Sequence, residues 1–257
     1  MALLADAGHN FSDVVSLAIA WVGAGFARRA PTSRFTWGYH GASILASLGN
    51  AVLLLIAIGA IAAEAVQRLF DPQPAEGLPM ILVAAIGVAI NLGTALLFAR
   101  GRGDLNIRGA YLHMAADAGV SAGVVVAGIG IMLTGQTWID PVVSLLIAAV
   151  IFWTTWDLLR QSVLLTLGAV PEGIDTEAVR AALLELPGVT TVHDLHIWAR
   201  GTSATVMTAH LVMEGGHPGN SFLGDVQALM HERFGIGHAT IQIELASGAD
   251  CVDCEAG

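Results

Sequence analysis

Residues 41–63 read GASILASLGNAVLLLIAIGAIAA, an apolar run with no Asp, Glu, Lys or Arg. A bilayer core takes about 20 mainly apolar residues per helix, so this stretch is read as a membrane span. Leu78–Ala99 is equally free of charge. Outward from these two, the same criterion predicts five spans, at 3–27, 42–69, 78–99, 107–133 and 141–165. Such runs are too long for buried strands, and their Ala, Leu, Ile and Val with scattered Gly suit close helix packing in lipid.

The whole composition agrees. The chain has 257 residues, 55% of them hydrophobic and 12% charged, where soluble domains carry about 25% charged residues. That excludes an ordinary cytosolic enzyme, a disordered tail and a nucleic-acid binder. The net charge is −10, and all 11 basic residues are arginine. Residues 1–165 hold 8 arginines and 9 acidic residues, whereas 166–257 hold 3 and 12. The division predicts a nearly neutral transmembrane domain over 1–165, an acidic cytoplasmic domain over 166–245, and a tail over 246–257.

Arginine placement sets the orientation. Arg28, Arg29 and Arg34 follow span one, Arg100, Arg102 and Arg108 follow span three, and Arg160 closes span five; the alternate loops hold Arg68. Seven against one puts the first set and the C-terminal domain in the cytoplasm. Five spans then leave the N-terminus outside, although Met1–Asp6 enters the apolar region at once. Two readings follow: a true five-span protein, or a bundle with a preceding span missing, which is preferred.

Ionisable side chains at the bilayer centre are costly and mark function. Span one carries His9 and Asp13, and span four carries His113 and Asp117, both as H-x-x-x-D. A spacing of four places each pair on one helix face, one turn apart. The spans run antiparallel, and with a rise of ~1.5 Å per residue each Asp falls ~15 Å from its own edge, at the midplane of a ~30 Å core. Two imidazoles and two carboxylates then converge on one site. That set suits Zn2+; Ca2+ or Mg2+ would take more oxygen and no imidazole. Two aspartates neutralise one dication, and with the metal gone they cannot both stay ionised in low dielectric. Metal exit is thus coupled to proton entry, the logic of an antiporter in a bundle that opens alternately. The competing reading of each pair is a hydrogen-bonded helix contact. Asp140-Pro141 opens span five, with Asp140 read as a cap.

The acidic domain reads as αββαβ. Asp175–Leu186 is a helix, with Asp175 as its cap, Val179, Leu183 and Leu186 as its stripe, and Pro187-Gly188 as its stop. Val189–Ala199 and Ala204–Met213 are strand-like, Asn220–Phe234 is a second helix, and Ala239–Leu245 is a last strand. Two helices on a three-stranded sheet make a small α+β, ferredoxin-like sandwich. Histidine is dense here: His193, His196, His210, His217, His231 and His238. Cys251 and Cys254 form one C-x-x-C, read as a metal pair rather than a disulfide, or as a tail without a role.

These motifs, in this order, resemble the cation diffusion facilitator family of divalent-metal exporters over nearly the whole chain. LLADAGHNFSD (Leu3–Asp13) is similar to the family's second membrane helix, YLHMAAD (Tyr111–Asp117) to its fifth, and WIDPVVSLLIA (Trp138–Ala148) to the start of its sixth. VHDLHIW (Val192–Trp198) and GIGHATIQIE (Gly235–Glu244) resemble strands of its cytoplasmic domain. The resemblance implies six spans, so that the first is absent here. It implies a homodimer in the lipid bilayer, and Zn2+, with Cd2+ or Co2+, exported from the cytoplasm in exchange for H+. His9, Asp13, His113 and Asp117 take the transport-site positions. By the same resemblance His193, His210 and Glu244, with Cys251 and Cys254, hold a regulatory cytoplasmic Zn2+. One departure is Tyr39-His40-Gly41-Ala42-Ser43, where the family continues into a basic-Ala-Glu segment.

The leading expectation is therefore a proton-driven zinc exporter in a bacterial inner membrane. A truncated, non-transporting subunit or metal sensor, dimerised with an intact partner, is the alternative. A membrane metalloenzyme is disfavoured, because four protein ligands leave no position for water.

Overall fold

A computed structural model describes residues 18–19, 21–23, 25–71, 77–98 and 105–245, with 98 and 105–113 as backbone alone. The span expected at 3–27 lies mostly outside these residues, as do Cys251 and Cys254. The described residues fall into two compact units, one drawn from Met1–Ile19 and Gly49–Leu159, the other from Ala20–Leu48 and Arg160–Gly257.

Four long helices carry the apolar runs: α1 (Gly41–Phe70), α2 (Gly77–Phe98), α3 (Leu105–Thr134) and α4 (Ile139–Thr166). Each is long and apolar enough to cross a membrane. Large apolar side chains stand on their outer faces; Leu97, Leu133 and Trp153 are about four-fifths exposed, at 81, 81 and 80%. In water that pattern would be an aggregation surface, and in lipid it is the expected boundary. Inside, Ala84 and Val124 are fully buried, with Ile58, Met80 and Ile147 around them. Helices α2 and α3 meet where neither has a side chain: a Cβ on Gly77 would stand 2.7 Å from the Gly128 carbonyl oxygen. Asp140, expected to cap α4, lies instead within its first turn, where its carbonyl accepts a 2.7 Å hydrogen bond from Ser144 Oγ.

The second unit contains α5 (Thr176–Leu184), β1 (Thr191–Gly201), β2 (Ala204–Val212), α6 (Asn220–Phe234) and β3 (His238–Glu244). This is the αββαβ order. Asp175 caps α5, its Oδ1 accepting from the Glu177 and Ala178 amides at 2.9 and 3.3 Å. The helix ends two residues before Leu186, which still packs on the core. Gly235 closes α6 in the left-handed region (φ 68°), and the Ile236 amide turns back to the Met230 carbonyl. That cap directs the chain into β3. The sheet runs β1-β2-β3, antiparallel between the first two and parallel between the last two.

Alternation along the strands divides the sheet's faces. Met207, Ala209 and Leu211 of β2 point to the helices, and Val179, Leu183, Val226 and Met230 pack over them. Thr208 and His210 therefore occupy the other face. This unit also includes the segment before α1, whose Trp37 contacts Arg200 and His238.

Candidate metal centre

Register builds a side-chain cluster on the face away from the helices. His193 of β1 is the direct partner of His210 on β2, and Gln242 of β3 is the partner of His210 on its other side. Glu244 lies two residues beyond Gln242, so it projects from the same face and reaches diagonally toward the histidines.

The geometry is tight. Glu244 Oε2 lies 3.0 Å from His193 Nε2, and Oε1 lies 3.0 Å from His210 Nδ1. The two imidazoles meet edge-on, with centroids 5.1 Å apart. One ligand atom from each of the three side chains falls within 4.8 Å of the others. Glu244 is 11% exposed. Burial alone would raise its carboxyl pKa, but the hydrogen bond with His193, the charges of His193 and His210 and a further hydrogen bond from Gln242 hold it below the ordinary value.

Two nitrogens and a carboxylate are the donor set of a zinc site with one further position. One atom supports the fit: His210 Nδ1 is buried and has no hydrogen-bond partner, despite its closeness to Glu244. A buried polar atom of this kind calls for a partner, and a cation between Nδ1 and the carboxylate supplies one.

Two neighbours complete the cluster. Asp194 Oδ2 lies 3.3 Å from His210 Nε2, and Asp194 Oδ1 lies 2.8 Å from Nε2 of the exposed His196. Reading the sequence did not single out Asp194. Its signal was adjacency in His193-Asp194-Leu195-His196, but simple alternation would send it to the opposite face. Other histidines of this domain go elsewhere: His217 Nδ1 accepts from the Gly219 amide at 3.0 Å, and His238 packs against Trp37.

Of the four residues expected in the membrane, His9 and Asp13 lie outside the described residues. His113 is described as backbone, one turn before Asp117 on α3. Asp117 is buried, 5% exposed, and Ser121 one turn further on is fully buried.

Comparison with known proteins covers both units. The profile of the "Cation efflux transmembrane domain" matches residues 1–165, and that of the "Cation efflux protein, cytoplasmic domain" matches 171–246. The chain is 36% identical to zinc transporter ZitB of Pectobacterium atrosepticum, over 95% of its own length and 77% of that protein's. It is 37% identical to metal cation efflux system protein CzcD of Cupriavidus metallidurans, over 96 and 78%. It is 31% identical to the "Cadmium, cobalt and zinc/H(+)-K(+) antiporter" of Bacillus velezensis, over 96 and 80%.

Proposed function

This chain belongs to the cation efflux, or cation diffusion facilitator, family of divalent-metal transporters, and from that premise we propose that it exports Zn2+ from the cytoplasm in exchange for protons. The cargo ion is held by His9 and Asp13 of the first span together with His113 and Asp117 of α3. The observation that carries this reading is Asp117, a carboxylate buried at 5% exposure within an apolar helix and one turn from a histidine. An acidic group within a membrane span is costly and marks an ion pathway or a proton relay. Loss of the dication leaves carboxylates that take up protons, so cargo and protons alternate on the same oxygens. The relative named as an antiporter of zinc and H+ supports exchange, and those named for zinc support the cargo.

The cytoplasmic domain binds a second Zn2+ through His193, His210 and Glu244 as a regulatory ligand, with Cys251 and Cys254 as further candidates, in a homodimer. Flux tests the central claim. In vesicles reconstituted with the full chain, an imposed pH gradient accelerates zinc uptake, and Asp13→Ala or Asp117→Ala abolishes it. Zinc flux indifferent to the gradient overturns the exchange, and flux that survives Asp117→Ala overturns the site.

A further inference from the structure

We propose that Asp194 is a positioning residue of the cytoplasmic metal centre, its carboxylate holding the His210 ring so that Nδ1 faces Glu244 and His193. The inference rests on the reading of His193, His210 and Glu244 as a cation site and adds the group that orients it.

The backbone supplies the first argument. His193 pairs with His210 and His196 pairs with Thr208, so two residues of β1, Asp194 and Leu195, oppose Ala209 alone on β2 and the strand carries a bulge. Residues three apart on a regular strand point to opposite faces; the bulge brings His193 and His196 to the same one. Asp194 is the extra residue. It has φ 51°, and among the described residues it is the one non-glycine with positive φ. Asp tolerates that region better than most side chains, and the conformation turns its carboxylate toward the cluster.

The second argument is the ring of His210. A neutral imidazole has one donor and one acceptor nitrogen. Oδ2 of Asp194 lies at ion-pair distance, 3.3 Å, from Nε2; a cation on Nδ1 leaves the ring proton on Nε2, the nitrogen that faces this carboxylate. Nδ1 is the nitrogen that lies 3.0 Å from Glu244 Oε1, buried and without a hydrogen bond. Carboxylate, imidazole and metal in line is a recurring way of fixing a ligand's tautomer and raising its basicity. The other Asp194 oxygen takes His196 Nε2 at 2.8 Å, so both oxygens are engaged and the carboxylate has little freedom to swing away.

The test uses the full chain in detergent with Asp13→Ala and Asp117→Ala, so that the proposed membrane ligands do not bind the probe. Co2+ is titrated and followed by its visible absorption. Asp194→Gly accepts φ 51° without strain and Asp194→Asn preserves shape, so both keep the metal-free unfolding temperature. Each is expected to weaken Co2+ binding about ten- to a hundred-fold and to change the cobalt spectrum, whereas His231→Ala, outside the cluster, leaves affinity unchanged. Parental affinity in both Asp194 variants, while His193→Ala loses binding, overturns the proposal. Parental affinity in His193→Ala as well overturns the cytoplasmic site itself, and Asp194's role with it.

Discussion

The guanidinium carbon of Arg200 lies 4.8 Å from the centroid of the Trp37 ring, joining the segment before α1 to the end of β1. His238, at the start of β3, approaches the same indole edge-on at 5.1 Å. Close by, the Thr202 amide donates to Ser43 Oγ at 3.1 Å, and Ser43 Oγ donates to the His40 carbonyl at 2.8 Å. A cation over an indole contributes about 0.5–2 kcal/mol, depending on desolvation. Trp37→Ala is therefore expected to loosen this contact by that order, read as faster amide exchange over residues 35–43. Unchanged exchange there would show that the stack contributes nothing.

Gly77 sets the approach of α2 to α3. A Cβ there would meet Met132 Cγ at 2.6 Å and the Gly128 carbonyl oxygen at 2.7 Å, and a backbone atom cannot step aside as a side chain can. Gly77→Ala forces the helices apart, and overpacking of this kind costs about 1–3 kcal/mol. The measurable outcome is a lower unfolding temperature in detergent. Ala at position 59, where a Cβ meets nothing within 4 Å, is the control and stays neutral.

The long helices were legible because a run such as Gly41–Ala63 lacks any charge, and lipid enforces that over a fixed length. The two short helices were legible for local reasons: Asp175 caps one, and the other carries Val226, Leu229, Met230 and Phe234 at helical spacing on one face, which packs on the core. The metal cluster was legible only through family resemblance. Nothing local links His193 to Glu244, since their meeting depends on the parallel register of β2 with β3. Asp194 was hidden by the bulge, which breaks the alternation used to assign faces. The Trp37 contact with Arg200 leaves no periodic trace, because a stack between distant segments has no spacing to read.

Glu244 makes the metal-free domain's stability depend on pH in a definite sense. Its folded-state pKa is held below the ordinary 4.5 against burial, chiefly by His193. A depressed carboxyl contributes stability that is fully present above the unfolded value and is lost as pH falls through the folded one. With chelator present, Glu244→Gln should therefore be less stable than the parent at pH above 4.5, and the gap should close below it. A gap that stays constant through that window would mean the carboxylate's charge is not what stabilises the cluster.

Zinc itself should stabilise the cytoplasmic domain if the three side chains bind it, because a ligand that binds only the folded state raises stability by RT ln(1 + [L]/Kd). At a free zinc concentration a hundred times Kd, this is about 2.7 kcal/mol. In the Asp13→Ala, Asp117→Ala background, zinc is expected to raise the unfolding temperature and a chelator to reverse the rise. His193→Ala and His210→Ala each remove the response, since the loss of one nitrogen from a set of two leaves a poor site. The exposed His231 of α6, outside the cluster, provides the comparison; His231→Ala retains the full shift. A response that persists in both cluster variants would place the stabilising ion elsewhere on the chain.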